Sequence, residues 1–101
     1  MSLRAIRINA VGGPEVLTVA EAAPSAAGPG KGMARIRVET AGVNFIDTYQ
    51  RTGLYSIPLP FTPGIEGAGR IEMLGEGAGN DSGAGSNAFA VGDRVAWIGM
   101  P

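Results

Sequence analysis

Glycine and proline set the limits on what this chain can fold into. Seventeen glycines and seven prolines are spread through 101 residues. Each breaks regular structure for its own reason: glycine loses the most backbone freedom on ordering, and proline lacks an amide proton and clashes with the turn before it. No long helix can be drawn through such a sequence. The β-prone and periodic runs between the turn clusters are short, so the expected fold is mostly β with one short helix, a small barrel or sandwich.

The runs can be placed one by one. Leu3 to Val11 is rich in Ile with Arg4 and Arg7 interspersed, Gly12-Gly13-Pro14 is a turn signal, and Val16 to Glu21 resumes a β-prone run, which predicts an N-terminal hairpin. Ala22 to Gly32 has no period and reads as a loop. Met33 to Val43 alternates Ala34, Ile36 and Val38 with Arg35, Arg37 and Glu39, predicting a strand with one face in the core and one in water. Pro58, Pro60 and Pro63 enforce an extended segment. Ile65 to Leu74 reads as a strand in which Gly67 and Gly69 signal a bulge or the close approach of another backbone. Gly75 to Ser86 is glycine-rich loop, and Val91 to Ile98 is a turn leading into a last apolar strand. That strand is followed only by Gly99, Met100 and Pro101, so the fold is expected to be incomplete at its C-terminal end.

Between strands lies "GVNFIDTYQRTGLY", Gly42 to Tyr55. Asn44 is a good N-cap, Asp47 stands where the acid of a capping box belongs, and Gly53 is a natural terminator, so a two-turn helix is predicted from Phe45 to Thr52. Two readings of its side chains are open. Asp47, Gln50 and Arg51 can be a solvated face, with Tyr49 packing inward four residues after Phe45. Alternatively the run is one wall of a site. Glu66, between Ile65 and Gly67, is either turned outward or a buried carboxylate that needs a partner.

Composition narrows the chemistry. The formal charge is −1, with eight Lys and Arg against nine Asp and Glu, which provides no field for a polyanion and argues against nucleic acid or an acidic membrane as partner. With no cysteine and no histidine, disulfides and thiol nucleophiles are excluded and a zinc site loses its usual ligands. No apolar run approaches a membrane span and no signal peptide is recognisable, so a cytoplasmic location is expected. Gly83-Ala84-Gly85-Ser86-Asn87-Ala88 loosely matches a dinucleotide fingerprint but neither follows a clear strand nor opens a helix. Asn80-Asp81-Ser82 is a formal glycosylation sequon without a secretory context.

The block from Asn44 to Tyr55, followed by "LPFTPGIEGAGRI" and "VGDRVAW" and preceded by "GGPEVL" at Gly12 to Leu17, closely resembles the N-terminal part of NADPH-dependent quinone oxidoreductases. These form the zeta-crystallin-like branch of the medium-chain dehydrogenase/reductase superfamily. The resemblance covers essentially the whole chain. It implies that residues 1–101 are a GroES-like β-barrel domain, truncated at its end, which in the family precedes a Rossmann domain that this chain lacks. Where zinc-dependent relatives carry a cysteine this sequence has Asn44, and where they carry a histidine it has Ile65, so the resemblance implies hydride transfer without zinc. By the same analogy Asn44, Phe45 and Asp47 lie at the NADPH nicotinamide and ribose. Tyr49, Arg51, Tyr55 and Glu66 contact a quinone or another conjugated carbonyl, and Asn44 and Tyr49 are catalytic. A homodimeric parent is implied, in which these 101 residues alone are inactive. An enoyl or 2-alkenal reductase of the same superfamily and a non-catalytic GroES-like binding module are the alternatives.

Overall fold

The computed structural model of the chain describes residues 3–23, 26–79 and 88–99. Among the described residues, five strands, one α-helix and a 3-10 turn make up the regular structure, so the fold is mostly β as expected. No helix among the described residues is long and apolar enough to cross a membrane. The sequon at 80–82 and the dinucleotide-like match, apart from Ala88, lie outside the described residues. The chain divides into two compact units, Met1–Ala23 with Gly42–Ile65 and Gly99–Pro101, and Pro24–Ala41 with Glu66–Ile98.

In the first unit, strands β1 (Leu3–Arg7) and β2 (Thr18–Ala22) pair antiparallel, with Leu3 opposite Ala22 and Arg7 opposite Thr18. The Thr18 hydroxyl closes the ladder by donating to the Arg7 carbonyl at 2.8 Å. The predicted hairpin is there, but its strands are shorter than the sequence suggests. Pro14 starts a 3-10 turn, Pro14–Val16, which removes Val16 from the second strand. Beyond Arg7 the backbone changes partner: Ile8 and Phe61 exchange both hydrogen bonds, at 2.9 and 3.1 Å. That exchange anchors the proline-rich segment in extended form and leaves Ile8 fully buried.

In the second unit, β3 (Ala34–Ala41), β4 (Glu66–Leu74) and β5 (Arg94–Ile98) form an antiparallel sheet in that order. The last apolar strand therefore pairs with β4, Ile98 opposite Glu66 and Trp97 opposite Gly67. Irregularities in the β3–β4 register fall between Arg35 and Ile36 and between Val38 and Thr40. The glycines of β4 are places of close approach, as predicted. A Cβ on Gly67 would run into the Trp97 ring, and one on Gly69 into the Arg37 carbonyl and the Ile36 side chain. Ile36 faces Ile71, which is buried, but Val38 faces Gly69 and has no side chain to cover it. Val38 is 56% exposed, so the apolar row expected along β3 is only partly a core row. The turn into β5 is held by Asp93, whose carboxylate accepts the Ala90 amide at 2.9 Å.

Candidate functional site

The helix α1 (Phe45–Thr52) belongs to the first unit and spans the predicted residues. Asn44 is its N-cap in an extended conformation, and the Asp47 carboxylate accepts the Asn44 amide at 2.8 Å. That carboxylate also sits favourably in the first turn, as Arg51 does in the last, because of the helix dipole. At the other end Gly53 takes φ 88°, ψ 4°, a left-handed conformation that an L-residue with a Cβ adopts at a cost.

A helix terminus leaves its last carbonyls without intrahelical partners, and here three of them are accounted for. The Tyr49 carbonyl accepts the Tyr55 amide at 3.1 Å and the Gln50 carbonyl accepts the Gly53 amide at 3.3 Å. The Arg51 carbonyl accepts an amide from a distant part of the chain, that of Gly12 at 3.0 Å, and the Arg51 Nη1 donates back to the Gly12 carbonyl at 2.9 Å. The chain reversal at Gly53 brings Tyr55 back to the helix, and the Tyr49 and Tyr55 rings meet edge to face with centroids 5.5 Å apart.

Burial inverts the usual pattern of an amphipathic helix. Gln50 is 3% exposed and not without a partner, whereas Phe45 is 82% exposed, Tyr49 38% and Tyr55 51%. Thus the reading of Phe45 and Tyr49 as a core-packing pair is overturned, as is that of Gln50 as part of the solvated face. The helix turns an amide inward and its aromatic residues outward. No periodicity in the sequence signals this, because the spacing of four from Ile46 to Gln50 is the same as that from Phe45 to Tyr49.

Two polar atoms beside this face are buried and unpartnered: the Asn44 Nδ2, a donor, and the Asp47 Oδ1, an acceptor. Buried polar groups are almost always paired, and an orphan calls for an explanation. Adjacent donor and acceptor, next to exposed Phe45 and to Val43 at 89% exposure, suit a flat ligand with a carbonyl or amide and a hydroxyl at its edge. The carboxamide and ribose of a nicotinamide nucleotide have that pattern, so these residues fit such a group. Among the described residues, no three of Asp, Glu, Cys or His gather as metal ligands would. Of the predicted site residues, Asn44 is brought together with Asp47, and Tyr49 with Tyr55. Arg51 is turned to Gly12. Glu66 opens β4 in the second unit, half-buried opposite Ile98.

Residues 30–100 match the model of the alcohol dehydrogenase GroES-like domain. The chain belongs to this family. A quinone oxidoreductase of Pseudomonas aeruginosa is 43% identical over 97 residues, covering 95% of the chain and 27% of that relative. Among solved structures, an Escherichia coli quinone oxidoreductase in complex with NADPH superimposes with TM-score 0.82 at 34% identity, covering 98% of the chain and 28% of its own. A 2-haloacrylate reductase gives TM-score 0.75 at 33% identity over 98% of the chain and 26% of its own. The GroES-like chain described here thus spans about a quarter of the length of these relatives, which are oxidoreductases of the medium-chain dehydrogenase/reductase superfamily.

Proposed function

We propose that the protein carrying this chain is an NADPH-dependent quinone oxidoreductase, and that the outward aromatic face of α1 with its orphaned Asn44 and Asp47 atoms is one wall of the reaction site. The observation that carries the proposal is the inverted helix. Exposing Phe45, Tyr49 and Tyr55 while burying Gln50 makes sense for a helix that serves a flat, apolar ligand. NADPH, when bound, supplies the hydride. Asn44 Nδ2 donates to a carbonyl-type acceptor on the nicotinamide side, Asp47 Oδ1 accepts from a hydroxyl, and Phe45 covers the ring. Tyr49 and Tyr55 flank the quinone, and the Tyr49 hydroxyl donates to the carbonyl oxygen on which negative charge develops, stabilising the transition state. In this reading Asn44 and Tyr49 are the catalytic residues, zinc has no part, and the acceptor electrophile is activated by hydrogen bonding alone. A cytoplasmic homodimer is the proposed parent, with most NADPH contacts outside these 101 residues, so the chain by itself is inactive.

The test is a chimera in which this chain replaces the matching quarter of the Pseudomonas aeruginosa relative. NADPH oxidation dependent on 1,4-naphthoquinone is expected from the chimera and not from the 101-residue chain. A folded chimera that binds NADPH yet leaves naphthoquinone untouched would refute the reading. The similarity to a 2-haloacrylate reductase supports a second reading, reduction of an alkene conjugated to a carbonyl. Preference of the same chimera for a crotonyl thioester over naphthoquinone would establish it instead.

A further inference from the structure

We infer that Arg51 is a positioning residue for the tyrosine pair and not a ligand of the substrate: it clamps the Val11–Gly13 turn onto the C-terminal end of α1 as an external cap. The inference rests on the proposal that Tyr49 and Tyr55 form the acceptor wall. Its geometry stands independently of that proposal.

Arg51 and Gly12 bond each other twice, main-chain amide to carbonyl at 3.0 Å and guanidinium to carbonyl at 2.9 Å. A planar guanidinium is well suited to such a fixed approach, since its donors are held in one rigid fork. The turn is shaped to receive it. A Cβ on Gly12 would lie 2.7 Å from Val16 Cγ1, so the backbone there comes closer than any side chain would permit. Val11 packs over Gly53, where an added Cβ would lie 3.3 Å from Val11 Cγ1. Gly53 is the residue whose left-handed turn carries the Tyr55 amide back to the Tyr49 carbonyl. Turn, clamp, reversal and ring pair are therefore consecutive links. An Arg51 committed to Gly12 acts on the acceptor through the spacing of the two rings, which makes it a determinant of which acceptor shapes fit.

Three variants test this, Arg51→Lys, Arg51→Met and Val11→Ala, each in the 101-residue chain and in the chimera. In the chain, without any ligand, ring-to-ring nuclear Overhauser contacts between Tyr49 and Tyr55 are expected to weaken in both Arg51 variants. The Gly12 amide should exchange about tenfold faster, because local opening exposes it. In the chimera the KM for naphthoquinone should rise about tenfold while the KM for NADPH stays within about twofold, the mark of a lost positioning contact on one substrate only. Val11→Ala, which leaves the guanidinium in place, should move the same readouts in the same direction by a smaller amount. The inference is overturned if Arg51→Lys restores the quinone KM that Arg51→Met loses, since the planar fork is then not what positions the rings, or if the ring contacts survive in both Arg51 variants, since the rings are then held without the clamp. Absence of quinone turnover in the unsubstituted chimera sinks the functional reading and leaves the ring-contact measurement to decide the clamp.

Discussion

Replacing Gly53 by alanine perturbs the end of α1 by an amount that the geometry sets. At φ 88° and ψ 4° the left-handed conformation costs an L-residue about 1–2 kcal/mol. Alanine recovers about 0.4–1 kcal/mol by restricting the unfolded chain. The new Cβ would sit 3.3 Å from Val11 Cγ1, close enough that Val11 has to give way by a few tenths of an ångström. A net loss of about 1 kcal/mol follows, which for a domain of this size lowers Tm by about 4–8 °C. Thermal unfolding followed by circular dichroism, repeated in urea, measures it. Gly92 supplies an internal control: it also has positive φ, 94°, but nothing lies within 4 Å of its added Cβ. Gly92→Ala should therefore carry only the backbone part of the loss, and Gly53→Asn, a residue that tolerates the left-handed region, should lose less than Gly53→Ala. An unchanged or raised Tm for Gly53→Ala would refute the reasoning, since it would mean that the terminus can rearrange without the left-handed residue.

Three further outcomes are expected. Asp47→Ala removes the acceptor of the Asn44 amide and should cost about 1 kcal/mol of stability, as the loss of a helix cap does, read as a shift in the urea midpoint. Gly67→Ala forces the single tryptophan, Trp97, off the β4 backbone, so its emission maximum and near-ultraviolet signal should both change; an unaltered spectrum would place the ring elsewhere. In the chimera, Tyr49→Phe should lower kcat for naphthoquinone by about 10²-fold, the scale of losing one donor at a developing oxyanion, with the KM for NADPH unchanged. A Tyr49→Phe chimera with full kcat would remove Tyr49 from catalysis.

What was legible in the sequence was what local chemistry determines. The limits of α1 could be read because Asn44, Asp47 and Gly53 act within a few residues of themselves, and their caps appear in the structure at those positions. The close approaches at Gly67 and Gly69 could be read because a glycine within a β-prone run has few other reasons to be there. Burial was not legible, because it depends on what lies across from a residue. Val38, expected inside, is exposed, and Gln50, expected outside, is buried because the helix presents its other side. Pairing across long separations was equally hidden. Ile8 leaves β1 for Phe61, and Arg51 turns to Gly12, with no motif announcing either. The capped helix and its residues were thus visible in the sequence, while which of its side chains are buried, paired or exposed came from the structure.

The bond from Arg51 to Gly12 joins residues 39 positions apart in the chain, and this has a consequence for the order in which the protein assembles. An isolated helix of eight residues does not persist in water, because nucleation is costly and most helical stability comes from tertiary contacts. The Arg51 carbonyl, unlike those of Tyr49 and Gln50, is paired only after a loop of that length has closed, at an entropic cost that has to be met before the contact offsets it. The Arg51 clamp beside the tyrosine pair therefore forms no earlier than that closure. A peptide spanning Gly42 to Tyr55 alone should be coil, and the helix should appear at the same rate as the Gly12 contact does.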